Sequence, residues 1–428
     1  MLRRRLQTVE DVAAWRLCCG CGACAWGCPN RAVSLENIIE IGIRPRVDEE
    51  LCQRCGRCIT VCPGVALEHD DFPENRIKEL ESGWGPVLDI WEGYAADSEI
   101  RFKSSSGGAA TSIALWAIEK GGFAGVLHCK ADPDDPIHNV PVFSRTRDDL
   151  MEALGSRYAP AAPCPAFDKI KDADGPCVFV GKPCDCAALR KACAIDKELA
   201  AKVGLVVSIF CAGTPSTAGT LALLKAMGID NPGRLKSLRY RGYGWPGAAT
   251  AEVRQDSDQA LGGDRQPPEG QTSNKSYSMS YSQAWGQILS KHVQLRCRLC
   301  PDKTGEFADI AVGDPWYRDT DGDDGRSLIL VRSKVGTNCW EIVHSSGYFD
   351  CERAKWCRLP ESQESLYKVR SALLGRLLLL RLAGIPTPAL RGFALNECWR
   401  TLATRDKCKA LLGTLRRLFT RQWYRRGE

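Results

Sequence analysis

Residues 18–29 read CCGCGACAWGCP, and residues 52–63 read CQRCGRCITVCP. Each carries the spacing C-x2-C-x2-C-x3-C-P, through Cys18, Cys21, Cys24 and Cys28 and again through Cys52, Cys55, Cys58 and Cys62. This is the ligand run of a bacterial-type two-cluster ferredoxin. Three closely spaced thiolates hold one 4Fe-4S cube, and the fourth, ahead of the proline, reaches over to the other. The spacing assigns Cys18, Cys21, Cys24 and Cys62 to one cluster, and Cys52, Cys55, Cys58 and Cys28 to the second. A zinc site rarely uses three thiols at this pitch, and a disulfide framework belongs to a secreted chain. Cys19 falls outside the spacing and reads as a bystander.

The segment between the two runs, IIEIGIRPRVDEE, predicts a short hairpin. Composition frames the rest. With 428 residues the chain is long enough for two or three domains and a sizeable core. The net charge of +6 is too diffuse to imply nucleic acid. The outlier is the count of 23 Cys, which suits a reducing cytosol. No apolar core follows the charged start MLRRRLQTVEDVAAW, so it does not read as a signal peptide. The strongest apolar run, ALLGRLLLLRLAG over Ala372 to Gly384, is too short for a bilayer and holds Arg376 and Arg381. It reads as a helix buried in protein or lying on a surface.

From about residue 85, strand-like runs alternate with helix-like ones, the texture of an α/β domain. Strands are predicted at Ile90 to Ala95, Val126 to Cys129, Cys177 to Val180, Leu205 to Phe210, Asp309 to Val312 and Leu328 to Val331. Helices are predicted over 109–120 and 217–227. The polar stretch Asp256 to Ser276 predicts a mobile surface excursion. Beyond 360 the pattern is helical. From Arg405 on, eight Lys or Arg face two acids, with Leu411, Leu412, Leu415, Leu418 and Phe419 at helical spacing. That combination reads as the solvated basic face of a docked helix, with peripheral membrane or acidic-partner contact as the alternative. The predicted fold is thus an α/β core behind a two-cluster ferredoxin module of α+β type, followed by a helical extension: residues 1–75, 76–360 and 361–428.

Four further thiols sit where an α/β sheet presents ligands. Cys184 and Cys211 each follow a strand, and carboxyl-terminal strand ends share one edge of a parallel sheet. Cys297 and Cys300 form a compact C-x2-C pair before Pro301 and Asp302. Together they suffice for a third cube, although a lone C-x2-C is often zinc-binding or redox-active and Cys186 is a rival to Cys184. Cys129, Cys177, Cys339 and Cys398 read as small buried apolar residues. The loop Ser104-Ser105-Ser106-Gly107-Gly108 opens a helix. Its small residues and the helix start suit an anion, though a plain Ser cap explains it as well. Gly155-Ser156-Arg157-Tyr158 offers a cation and an aromatic, as does Arg241-Gly242-Tyr243-Gly244-Trp245.

In order along the chain, SSSGGAAT, GSRYAP, VGKPCDCAAL, FCAGTPS, YRGYGWPG, C-x2-C-P-D and ADIAVGDPW resemble the coenzyme F420 hydrogenase/dehydrogenase beta subunit family. The resemblance covers about residues 85 to 335 and includes reductases of hydroxymethyl chlorophyll and divinyl chlorophyllide. It implies an iron–sulfur oxidoreductase with FAD near Ser106, Gly107, Gly108, Thr111, Ser156, Arg157 and Tyr158, and it favours the third cluster. Cubes move one electron at a time, whereas a flavin handles one or two and can deliver hydride. Electrons are expected to enter at the ferredoxin clusters, cross the internal cluster and load FAD, which reduces a small conjugated acceptor. The donor would be a ferredoxin. Alternatives are a subunit working on coenzyme F420 within a larger complex, and an electron-transfer module without its own substrate. No catalytic residue is assigned. Tyr158, Tyr243, Asp302 and Asp314 are candidate proton donors, and the histidines read as ordinary.

Overall fold

In the computed structural model, which describes residues 6–69, 72–254 and 274–427, the cysteine repeat forms a small two-fold unit. Each copy places its third cysteine on a one-turn helix, Ala23–Trp26 or Arg57–Thr60. Each helix follows a glycine in the left-handed region, Gly22 at φ 82° and Gly56 at φ 76°, a conformation that side chains with a Cβ resist. The hairpin is present as β1 (Val33–Ile38) and β2 (Gly42–Val47), antiparallel. Its first strand begins five residues before the predicted segment. β3 (Ala66–Glu68) closes this front part.

The large sheet is built from β4 (Asp89–Ala95), β5 (Gly125–Ala131), β6 (Asn139–Ser144), β7 (Cys177–Gly181), β8 (Val203–Ile209), β12 (Ile310–Gly313), β13 (Ser327–Val331) and β14 (Phe349–Arg353). Its order is β14-β4-β13-β12-β8-β7-β5-β6. β5, β7, β8 and β12 run parallel, and β6, β13 and β14 pair antiparallel. The central strands are apolar without interruption because both faces are covered. Val178, Leu205 and Val207 pack with Ile113 and Trp116 on one face. Phe179 and Val206 pack with Leu189 and Ala192 on the other, joined there by Cys21, Ala23 and Val61 of the front. The ferredoxin part is therefore welded to the core by shared apolar burial. Gly22 marks the closest approach: a Cβ there would sit 2.6 Å from Pro165.

A second, three-stranded sheet holds β9 (Leu235–Arg239), β10 (Ala248–Arg254) and β11 (Asn274–Ser280). Residues 256–273 of the expected excursion lie outside the described residues, and its last three, Asn274 to Ser276, are strand rather than loop.

Past 360 the chain is helical with one exception. β15 (Ala389–Arg391) returns to pair in parallel with β3. The helix Leu373–Leu382 buries Leu373, Leu377 and Leu380 against Val12, Trp15 and Leu17 of the front, each worth about 1.5–3 kcal/mol. A buried ionic knot adds to this: Glu306 pairs with Arg370 of the extension and, at 2.9 Å, with His69 of the front. The basic helix Thr404–Thr420 buries Thr414 and Leu418, and Leu411 approaches Gly375 of the neighbouring helix. Leu412, Leu415 and Phe419 of the same helically spaced run are exposed. No helix among the described residues is long and apolar enough to cross a membrane.

Candidate functional site

The front thiols fall into two groups. Cys24 neighbours Cys18, Cys21 and Cys62 first and Cys58 after them, whereas Cys58 neighbours Cys28, Cys55 and Cys52. The first group is buried throughout; in the second, Cys55 is exposed and the others are half-buried. Burial, with Cys18 and Cys21 adding to it, pushes the Cys62 thiol up to about 12. Cys18 is also pushed up by burial, and the guanidinium of Arg44, itself 3% exposed, works against this.

A third group of thiols assembles behind the buried one. Cys184 starts the helix Pro183–Ile195 after β7, and Cys211 follows β8. Cys297 lies on the short helix Leu295–Arg298, with Cys300 just past it. Cys211 neighbours Cys297 and Cys184, and Cys300 neighbours Cys184. Cys211 and Cys300 are each pushed up to about 12, first by burial. The rival Cys186 is not in this group: its thiol points back at Gly181 O and Val207 O inside the core. Cys19, read as a bystander to the spacing, lies beside Cys184 of this group.

Cations surround this nest. Lys303, 5% exposed, donates to Cys297 O at 2.7 Å and Ala212 O at 3.3 Å. Arg296, 2% exposed, donates to carbonyls of Pro63 and Leu299. Lys182 is paired with buried Asp185 at 2.6 Å. Buried cations held by carbonyls alone lack the opposite charge that burial demands. Four thiolates on a cluster supply it, because metal-bound sulfur is deprotonated. The donor set and charge balance therefore fit an anionic iron–sulfur cluster. Among the described residues, no three His, Cys, Asp or Glu side chains converge tightly enough for a single metal ion.

Next to the nest lies a cleft of about 380 Å³, within the usual range for small-molecule sites. Cys211, Lys182 and Thr214 form one wall; Ser104 to Ser106 and Gly108 to Thr111 form another. Gly108, at φ 79°, lets the helix Ala109–Glu119 begin with its first N–H groups toward this space, a setting for a phosphate. Ser104 Oγ is buried there with no hydrogen-bond partner among the described residues, as a group awaiting a ligand would be. A cofactor carrying phosphate and a planar ring fits this lining.

Ser106, Ser156, Arg157 and Tyr158 all line the cleft, and several of the expected contacts also tie its walls together. Ser106 Oγ donates to Arg326 O at 2.5 Å and meets Ser327 Oγ at 3.1 Å. Gly107 faces Gly93 O and Ser327 N rather than the cleft; a Cβ would lie 2.7 Å from each. Arg157, expected to meet the cofactor, donates to Asn139 Oδ1, Leu238 O, Pro136 O and His138 O. That leaves one of its five N–H donors free. It pins the loop, and Ser156 is placed by its own N–H donating to Ser105 Oγ at 2.6 Å.

Of the candidate proton donors, Tyr158 and Asp314 line the cleft. Asp314 accepts from Arg241 at 2.7 and 3.0 Å and from Trp245 Nε1 at 2.8 Å, so it is locked in an ion pair. Asp302 accepts three backbone N–H groups beside the thiol nest, and burial with Glu306 nearby pushes it up to about 6. Tyr243 is largely exposed, outside the lining. Sequence reasoning left out Lys182, Tyr281 and Trp316, all in the lining. Lys182 lay in the quoted VGKPC stretch, where a lysine beside a ligand cysteine was the available signal. Arg241 lies 4.7 Å over Tyr281 and 5.3 Å over Trp316, and those two rings stack at 5.7 Å.

Comparison with known proteins follows the same division. Residues 17–66 match the 4Fe-4S dicluster domain. Residues 90–167 match the N-terminal part of the coenzyme F420 hydrogenase/dehydrogenase beta subunit, and residues 176–355 match its C-terminal part. Together these last two cover more than half of the chain. The coenzyme F420 hydrogenase subunit beta of Methanosarcina barkeri is 23% identical over 276 residues, spanning 60% of this chain and 78% of that one. A chain in the structure of the xenon-derivatised F420-reducing NiFe hydrogenase complex of the same organism shares the fold, with a TM-score of 0.50 at 21% identity. The match covers 68% of this chain and 89% of that one.

Proposed function

The chain belongs to the coenzyme F420 hydrogenase/dehydrogenase beta subunit family, and on that premise we propose that it is an iron–sulfur flavoprotein oxidoreductase. Single electrons pass through three 4Fe-4S clusters to FAD in the cleft, which serves a conjugated organic acceptor. Residues 1–75 carry two clusters, 76–360 the third cluster and the flavin, and 361–428 brace both. FAD, when bound, supplies the junction between one-electron and hydride chemistry.

One observation carries this reading: Cys211 belongs both to the core thiol nest and to the wall of the cleft. A cluster held there abuts whatever the cleft binds. The gradient of burial gives the direction of contact. Cys52, Cys55, Cys58 and Cys28 would hold the cube that a redox partner can approach. Cys18, Cys21, Cys24 and Cys62 would hold the inner one, and Cys184, Cys211, Cys297 and Cys300 the last. In the cleft, Ser104, Ser105 and the start of the helix Ala109–Glu119 bind the cofactor's anionic part. The Arg241–Asp314 pair fixes the aromatic wall, and Tyr158 is the hydroxyl available to a bound ring.

The acceptor has two readings. A ferredoxin-fed reductase acts on a conjugated ring of its own. Coenzyme F420 as the carrier, within a larger complex, is favoured by the similarity to the two F420 hydrogenase relatives. Protein prepared without oxygen is expected to hold about twelve irons, three cubes' worth, and one FAD. Cys184→Ala should lose about one cube's worth and keep two. Iron content unchanged in that variant refutes the ligand assignment, and iron without flavin refutes the flavoprotein. Reduced coenzyme F420 should bleach the flavin only under the second reading.

A further inference from the structure

One buried charge at the seam between the front and the core nest is explained by neither site alone. Arg296 reaches both ways. One terminal nitrogen donates at 3.0 Å to Pro63 O, the carbonyl after Cys62; the other donates at 3.0 Å to Leu299 O, just before Cys300. Its Nε is buried without a hydrogen-bond partner among the described residues. Arg296 immediately precedes Cys297 of the core set in the chain. Cys19 occupies the same seam. In the chain it lies between Cys18 and Cys21 of the inner front set, yet its thiol neighbours Cys184 of the core set.

We infer that Arg296 and Cys19 are the electrical junction between the inner front cube and the core cube. Arg296 is a positioning charge that orders their potentials, and Cys19 is a contact rather than a ligand. This rests on the proposed assignment of the three cluster sites. In the transfer one cube loses an electron and the other gains it; no bond forms or breaks and no proton moves. A fixed positive charge favours the reduced, more negative state of the nearer cube. Arg296 directly precedes the core ligand Cys297 and donates to the carbonyl before Cys300, against a single carbonyl beside the front ligand Cys62. The charge therefore draws the electron inward, toward the cleft.

The test is an EPR-monitored redox titration of the full chain, prepared anaerobically, with iron and sulfide counted. The wild type is compared with Arg296→Met, Arg296→Lys and Cys19→Ala. Arg296→Met is expected to keep its iron and to shift the electron's partition toward the front at least tenfold, about 59 mV for a one-electron couple. Arg296→Lys should restore most of that shift. Cys19→Ala should keep all three cubes and slow electron transfer between them at least tenfold in rapid-freeze measurements. Unmoved potentials in Arg296→Met would make Arg296 a mere staple and overturn the inference. If Arg296→Met loses the core cube, Arg296→Lys decides: a cube kept at the wild-type potential supports the role of charge, and a lost cube overturns it. Loss of one cube's iron from Cys19→Ala would make Cys19 a ligand, and an unchanged rate would remove it from the path. A wild type holding only two cubes would sink the underlying assignment instead, a result distinct from all of these.

Discussion

Burial pushes the thiols of the core up wherever they sit, and what separates them into two kinds is whether other thiols stand beside them. Cys129 is pushed up to about 12, chiefly by burial, and Cys186 packs among Val206 and Leu189. Such thiols behave as small apolar groups. The nest cysteines differ in having one another as neighbours, with Lys303 and Arg296 beside them. That company is invisible in a one-dimensional pattern, so spacing found Cys184 but could not dismiss Cys186 or recruit Cys19. Arg157 shows the same limit, because the cation was legible and the carbonyls that occupy it were not. His128 yields a prediction at this scale. Burial holds its imidazole down to about 4, so the unfolded chain takes up the proton first. Stability should then fall as pH drops from about 6.5 toward 4, by at most about 3 kcal/mol. His128→Gln lacks this penalty, and its melting temperature relative to wild type should rise as pH is lowered from about 7 to about 5. A pH-independent difference would contradict the buried neutral state.

Elements were legible where burial imposes a period. β7, β8 and β13 announced themselves as unbroken apolar runs because helices cover both faces of the sheet. The cysteine runs were legible as ligand sets, whereas the one-turn helices that carry Cys24 and Cys58 were not predicted. β15 was not legible: Ala389-Leu390-Arg391 has no strand pattern and owes its form to a distant partner, β3. Helical spacing counts apolar residues without showing which face meets the protein, so it did not separate exposed Leu412, Leu415 and Phe419 from buried Leu418. The helix Leu373–Leu382 is the element whose weakening should be felt farthest away. Leu377 is 2% exposed, in the apolar cluster that contains Cys18 and Cys62. Leu377→Ala is expected to cost about 2–5 kcal/mol and to speed oxygen-driven loss of the front clusters while flavin content holds. Cluster lifetimes equal to wild type would show that the extension does not brace the front.

At the scale of the molecule, three thiol sets and a cleft lie in sequence from surface to interior. The exposed set meets solvent at Cys55. The inner set shares its apolar cores with both the sheet and the extension, and the core set shares Cys211 with the cleft. Read as a string, the chain suggested modules joined end to end. Folded, the front and the extension are packed together and onto the core, which is what short hops for electrons require. Anaerobic single-turnover reduction tests this arrangement most directly. A one-electron donor is mixed with wild type and with Cys184→Ala, and flavin absorbance is followed. Fast bleaching in wild type, slowed at least tenfold in a Cys184→Ala protein that retains its flavin and two cubes, is the predicted result. Equal rates in the two proteins would contradict the account, because electrons would then reach the cleft without the core cluster.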